Sequence, residues 1–420
     1  MLTLTSPEQD IAAGAKGDAL GMAMRIVAET GRIMGAERLI PVMSAHIDGA
    51  LWHGDSGVHF AERLVAGGGA VAIPTTLNVG ALDLLHPHRV RVSQARRDMA
   101  LRLMQAYEAL GCRPTWTCAP YQVGHRPEVG TDVAWGESNA VVFVNSVLGA
   151  RTNRYGDFLD ICCALTGRAP YFGLHIPENR RATVVVRIGS IAPVLLASDA
   201  FYPVFGTWLG MEFGQVVVAI EGFPADVTED QFKALGAAAA STGAVGLFHA
   251  VGRTPEAPTL SAACGGVPVT MELELTAKML HPARDRLSTV VAGQIDAVAV
   301  GSPHFSLDEF SSLERLLGGR RVELPFFVCT ARQHVRALEQ AGRIAPLEAC
   351  GITVIADTCV VVTPILPEKG SVLMTNSGKF AHYGPSNTGY DTIFGTLADC
   401  VESAIAGRVV RDEGLWEAPA

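Results

Sequence analysis

Apolar residues along this chain come in short bursts, each closed by Gly, Pro or a charged residue. VVVRIG (184–189), QVVVAIEG (215–222), DAVAVG (296–301) and CVVVTPIL (359–366) are too short to span a bilayer and read as buried strands of a parallel or mixed sheet. Further strands are predicted at 38–44, at AVAIPT (70–75), at AVVFVNSVLGA (140–150), at AVGLFHAVG (244–252), at LPFFVCT (324–330), through GITVIADTCVVVTP (351–364) and at SVLMTNSGK (371–379). TWTCAPY (115–121) runs extended into a loop. Helices are predicted between these segments. The first begins at Ser6-Pro7-Glu8-Gln9, with Ser6 as cap, Pro7 at the first helical position and Gln9 closing a capping box. Others run to about Met34 and over 58–67, 98–110, 155–166 and 330–341. Strands alternating with helices predict an α/β fold, in which ligands gather in the loops at the carboxyl ends of strands.

Composition narrows the function. The 420 residues, 49% hydrophobic, are enough for a large core and more than one subdomain, although no linker marks a boundary, so 1–420 is taken as one catalytic part. A net charge of −9 without a basic run argues against nucleic acid as a partner and leaves room for a small anionic substrate. The start shows no secretory signal, no run spans a membrane, and nine cysteines without framework spacing read as reduced thiols. The expected location is the cytoplasm.

Chemistry concentrates in a few loops. Cys118 (TWTCAPY), Cys329 (FFVCT) and Cys359 (ADTCV) lie in loops or at strand ends, and Cys329 precedes a helix start that favours a thiolate. Three such thiolates can hold an iron–sulfur cluster with one open iron, or they can simply pack, as buried cysteines usually do. Cys162 and Cys163 read as core, and Cys112 and Cys400 as structural. HIDGALWHGDSGVHF carries His46, Asp48, His53, Asp55 and His59, a conceivable zinc or iron site, although the histidines suit a polar loop better. Within it, Asp55-Ser56-Gly57 places backbone N–H groups at a helix start, either an anion pocket or only a cap. Thr75 and Asn78 have the same strand-to-loop setting. Arg151 and Arg154, flanking Thr152 and Asn153, suggest a carboxylate clamp or surface ion pairs. Lys379, in NSGK, suits an anion, but Phe380 follows it and the upstream Gly is misplaced, so no nucleotide loop is formed.

Taken together, HIDGALWHGDSGVHFAERLVAGGGAVAIPTTLNVGALDL, TCAPY, GESNAVVFVNSVLGARTNRYGD, YFGLHI, HAVGRTPEAPT, SPHFSLDE, DTCVVVTPI and TNSGKFAHYGP resemble aconitase X, a branch of the aconitase superfamily. The resemblance implies an aconitase-like α/β fold of several subdomains around a central iron–sulfur site. It implies a cluster, 4Fe-4S or 2Fe-2S, on Cys118, Cys329 and Cys359, and substrate contacts at Asp55, Ser56, Gly57, Thr75, Asn78, Ser138, Asn139 and Lys379. It also implies a hydro-lyase acting on a small hydroxy acid, either cis-3-hydroxy-L-proline or mevalonate 5-phosphate. The swivel domain of such enzymes finds no room before the chain stops, so a separate small subunit is expected to bring the catalytic serine. In that scheme Lys379 and Arg154 orient the anion and the partner's serine takes the proton. The rival from another class is a non-catalytic subunit stabilised by thiols or metal.

Overall fold

The computed structural model describes residues 2–291 and 293–417. The chain forms two compact units. One takes the residues up to Leu82 and then Val92–Arg181; the other takes Asp83–Arg91 and the chain from Ala182 on.

The first unit contains β1 (Leu39–Pro41), β2 (Ala45–Ile47), β3 (Thr75–Leu77), β4 (Ala134–Trp135) and β5 (Arg168–Pro170). β2 is the centre of a parallel three-stranded sheet between β3 and β4, and β1 pairs antiparallel with β5. Helix Asp18–Ile33 buries Ala19, Ala23, Met24, Val27, Ala28 and Gly31, one helical stripe, and packs on helix Leu159–Thr166. The first helix, Ser6–Ala12, starts at the residue expected as its cap. Thr5 is the N-cap, and its N–H donates to the Glu8 carboxylate at 2.9 Å, so Glu8 rather than Gln9 closes the box.

AVVFVNSVLGA, expected as a strand, is a helix over Ser138–Ser146. Glu137 caps it, accepting the Ala140 N–H at 2.6 Å, and all nine residues are buried. A helix without a polar face shows no 3.6-residue period, so its β-branched run is easily mistaken for a strand.

The second unit contains β6 (Val184–Arg187), β7 (Val218–Glu221), β8 (Phe248–Ala250) and β9 (Met271–Glu274), a parallel sheet in the order β8-β7-β6-β9. A second parallel sheet follows, from β10 (Ala297–Phe305), β11 (Phe326–Thr330), β12 (Ile352–Ala356), β13 (Val372–Thr375) and β14 (Asp391–Phe394), in the order β12-β11-β10-β13-β14. Its core includes Val298, Phe310, Leu313, Val328, Leu338, Val354 and Ile393, with helices Leu307–Leu317, Arg332–Gln340 and Leu397–Ala406 contributing. CVVVTPIL is not a strand. The N–H groups of Val362 and Thr363 turn back onto the Cys359 carbonyl, each at 3.0 Å, and Thr358 and Thr363 share a hydroxyl contact of 2.6 Å. The excursion Asp83–Arg91 belongs to this unit: Ala356 donates its N–H to Asp83 at 3.3 Å, and Arg91 donates its own to the Pro364 carbonyl at 2.9 Å.

Candidate active site

In the five-stranded sheet, chain order runs outward from β10 through β11 to β12, then returns to the other side at β13. The reversal between β10 and β13 is the switch point where doubly wound sheets bind ligands. A cavity of about 420 Å³ opens there, lined by Gly301, Ser302 and Pro303 within β10, by Asn376 to Lys379 after β13, and by Asp199, Asp230, Lys233 and Glu309. Helix Gly378–Thr388 starts at this point. Ser377 caps it by accepting the Phe380 N–H at 3.0 Å and donates its own hydroxyl to the Ser302 carbonyl.

Two thiols adjoin this end of the sheet. Cys329 lies one residue before the end of β11, and Cys359 lies three residues beyond β12, beside Ser302 and within electrostatic reach of Lys379. β10 changes register between Val300 and Phe305, and Gly301, at φ +90°, leaves no space for a side chain: a Cβ there would stand 2.2 Å from the Cys329 carbonyl. The Cys359 loop is fixed from below by Arg332, which holds the buried Asp357 in a two-pronged ion pair at 2.6 and 2.7 Å. The Cys329 thiol, hydrogen-bonded to Cys359, holds the latter below the ordinary thiol value; the Val361 N–H, Lys379 and Ser302 add to this, against burial. Cys112, Cys162, Cys163 and Cys400 show the opposite behaviour, because burial pushes all four upward and leaves them inert. All nine cysteines are free thiols. Cys359, with Cys329 hydrogen-bonded to it, thus has the thiolate character that an iron–sulfur cluster requires of a ligand. Among the described residues, no group of three or more His, Cys, Asp or Glu side chains is arranged to hold a metal ion.

In the first unit the carboxyl ends of β2, β3 and β4 carry a second polar cluster. Asp48 follows β2, Asn78 follows β3, and Gly136 to Asn139 follow β4. Asp160, fully buried in the first turn of helix Leu159–Thr166, accepts the Asp48 N–H at 2.7 Å and the Ile161 N–H at 2.6 Å. Burial pushes its carboxyl well above the usual range, with Asp157 and Asp48 adding to the effect. Asn78 donates to Asp48 Oδ1. Gly136 is required here, because a Cβ would stand 2.8 Å from Asp160 Oδ2 and 3.0 Å from Asp48 Cβ. Asn139 donates to the Cys118 carbonyl and to the Tyr121 hydroxyl, both at 3.1 Å, and so ties the Cys118 loop to the start of helix Ser138–Ser146.

The other expected residues divide. Asp55, Ser56 and Gly57 form the first turn of helix Asp55–Ala66, with Asp55 and Ser56 exposed. Ser138 is buried and donates to Glu137 at 3.2 Å. Thr75 opens β3 and is satisfied locally, donating to the Ile73 carbonyl at 2.8 Å. Arg151 and Arg154 do not sit at one level. Arg151 pairs through its backbone with Thr131 and Val133, before β4 begins, whereas Tyr155, next to Arg154, donates its N–H to Trp135 at the end of β4. Lys379 is half-buried at the cavity. The sequence reading set Asp48 aside as a loop residue and overlooked Asp160. Their link spans 112 positions, and the only local hint is an acid in the first turn of an otherwise apolar helix.

Profiles of one family cover nearly the whole chain: Aconitase X first domain over residues 1–178, second domain over 182–285 and third domain over 295–406. The chain belongs to the aconitase X family. It is 42% identical to the cis-3-hydroxy-L-proline dehydratase of Pseudomonas aeruginosa over 414 residues, 97% of this chain and 71% of that one. It is 36% identical to the phosphomevalonate dehydratase large subunit of Methanothermobacter thermautotrophicus, covering 93% and 96% of the two chains. The crystal structure of Thermococcus kodakaraensis aconitase X in its holo-form superposes with a TM-score of 0.85 at 31% identity, over 96% of this chain and all of that one. An aconitase-type family implies an iron–sulfur cluster, and relatives named as large subunits imply a small one. The multi-subdomain α/β architecture expected of aconitase X agrees with the parallel sheets seen here. No helix among the described residues is long and apolar enough to cross a membrane.

Proposed function

We propose that this chain is the cluster- and substrate-bearing part of a hydro-lyase that dehydrates cis-3-hydroxy-L-proline. The observation that carries the reading is the Cys359 thiol, held below its ordinary value by Cys329 and within electrostatic reach of Lys379, in a chain more than 40% identical to a dehydratase of that name. Cys118, Cys329 and Cys359 are the proposed ligands of the cluster, of 4Fe-4S or 2Fe-2S type. When bound, it supplies an open Lewis-acidic iron for the departing hydroxyl, which is a poor leaving group by itself. The chain's own residues do the rest. Lys379 and Arg154 orient the substrate carboxylate and offset the charge that develops on it as the neighbouring proton leaves. Asn78, Ser138 and Asn139 hold the substrate's polar groups, and Asp48 fixes the Asn78 amide. The base that takes the proton is assigned to a serine on a small swivel-type partner, and nine free thiols suit a reducing cytoplasm.

The test is anaerobic purification with the small partner. The expected protein is coloured and iron-bearing, and Cys359→Ser loses iron and activity together while keeping its fold. A colourless, iron-free preparation with full activity would falsify the reading. Spectroscopy of the coloured protein assigns the nuclearity. A second reading, dehydration of 5-phosphomevalonate, is favoured by the exposed helix start Asp55–Gly57, whose N–H groups suit a phosphate. Assaying both substrates with the reconstituted pair decides between them.

A further inference from the structure

Asn78 and Asn139 share an arrangement that fixes which end of each amide is left over. An amide has an NH2 that only donates and an oxygen that only accepts. Asn139 directs its Nδ2 at the Cys118 backbone carbonyl, which cannot donate, so the amide cannot be turned without setting two oxygens against each other. Asn78 directs its Nδ2 at a carboxylate oxygen of Asp48, with the same consequence. Asp48 is itself held, because its N–H is bound by the fully buried Asp160. Among the described residues, neither Oδ1 has a hydrogen-bond partner, although Asn78 is 4% exposed and Asn139 is fully buried. A buried acceptor without a donor is costly, and a native structure keeps one where a ligand, an ion or a water completes it.

We infer that Asn78 Oδ1 is the acceptor for the ring ammonium of a cyclic imino acid, with Asp48 as the residue that positions it. This rests on the reaction proposed above and adds to it the group by which the substrate is told apart. The competing substrate class, a phosphorylated hydroxy acid, has a hydroxyl that can donate to Asn139, but it has no ammonium to donate to Asn78. Its phosphate brings further acceptors, which Asn78 Oδ1 and the adjacent Asp48 carboxylate oppose. A cis-3-hydroxy imino acid carries both donors, so Asn139 serves the hydroxyl, which both classes possess, and Asn78 serves the nitrogen, which only one possesses.

The probe is a pair of ligands that differ only at the ring atom: cis-3-hydroxy-L-proline and its ring-oxygen counterpart, cis-3-hydroxytetrahydrofuran-2-carboxylate. With the reconstituted enzyme, KM for the first and the inhibition constant of the second are measured. The wild type is expected to favour the imino acid at least about tenfold, the order of one charged hydrogen bond. Asp48→Asn, which frees the Asn78 amide to turn, is expected to raise KM for the imino acid and bring the preference within about threefold, with kcat nearly kept. Asn78→Leu, which keeps the volume and removes the acceptor, should erase the preference as well; it reads the same quantity if Asp48→Asn does not fold. A wild type that binds both ligands equally overturns the inference, as does either variant if it folds and keeps the full preference. If the imino acid is dehydrated without discrimination, only this inference falls. If the phosphorylated substrate alone is turned over, the proposed reaction falls with it.

Discussion

Two buried polar clusters lie at carboxyl ends of parallel strands, one in each unit, and they differ in what they leave over. In the second unit, Lys233 is 2% exposed and is held by Asp230 at 2.8 Å, by Glu309 and by the His304 carbonyl at 3.2 Å. Asp230 in turn accepts from Ser306 at 2.5 Å, and Glu309 accepts the Ser306 N–H at 2.8 Å. Every charge there has a partner. In the first unit, Asp160 holds Asp48 and Asp48 holds Asn78, while Asn139 is tied separately to the Cys118 loop; among the described residues, the amide oxygens of Asn78 and Asn139 have no partner. The ion cluster borders the 420 Å³ cavity, yet its groups are already occupied with one another. Hydrogen-bond satisfaction therefore adds what cavity volume alone does not show: which polar groups still have capacity for a ligand.

The comparison can be broken most sharply at Lys233. Lys233→Met leaves two carboxyls buried without their cation and is expected to cost about 3–5 kcal/mol in denaturant unfolding, with kcat per folded molecule nearly unchanged. A folded variant that lost substrate affinity would move the ion cluster into the site. Next in size, Asp160→Ala strips the Asp48 and Ile161 N–H groups of their acceptor. The expected loss is about 1–3 kcal/mol, together with a raised KM for the imino acid; stability lost with KM unchanged would uncouple Asp160 from binding.

Smaller effects follow from titration. The Asp160 carboxyl is raised in the fold, so its contribution to stability is full below the unfolded carboxylate range and is lost as pH rises through the folded value. Asp160→Asn removes that loss, and its stability relative to wild type is expected to improve from pH 5 to pH 9. Glu309 behaves alike over a narrower range. Two carboxylates share one ammonium, and burial pushes the second, Glu309, up to about 7. Glu309→Gln should therefore compare better with wild type at pH 8 than at pH 5, and thermal melts at the two values check the sign. A flat difference across this range would mean that Glu309 stays ionised.

Much of this architecture could be read from the sequence because strand ends and loop chemistry are local. Cys329 near the end of FFVCT and the helix start at Asp55–Gly57 lie where patterning placed them, whereas Lys379, expected in a loop after a strand, lies in the first turn of helix Gly378–Thr388. The failures occur where neighbours are distant or the environment is uniform. Helix Ser138–Ser146 is buried on every side, so the polar face that betrays a helix is missing. The bend after Cys359 depends on carbonyl contacts within five residues, which an apolar run hides. The fixing of Asp48 by Asp160, and of the Cys118 loop by Asn139, are tertiary pairings with no signature in spacing. Arg151 and Arg154 suggest a clamp because they flank Thr152 and Asn153 in a loop before a helix; in the fold their backbones lie at different levels, Arg151 beside Thr131 and Val133 and Arg154 next to the residue that pairs with Trp135.

The nine-residue excursion Asp83–Arg91 has a consequence for how such a chain can be divided. The polypeptide leaves the first unit after Leu82, returns at Val92 and leaves again after Arg181. A fragment starting at Ala182 would lack Asp83, the acceptor for the Ala356 N–H at the root of the Cys359 loop. A fragment ending at Arg181 would carry nine residues folded for a partner it no longer has. The two units are therefore not interchangeable cassettes. A recombinant that grafts one unit from a relative with a single crossover at 181/182 inherits a mismatched excursion, and only one that swaps 83–91 along with the second unit keeps the pairing intact.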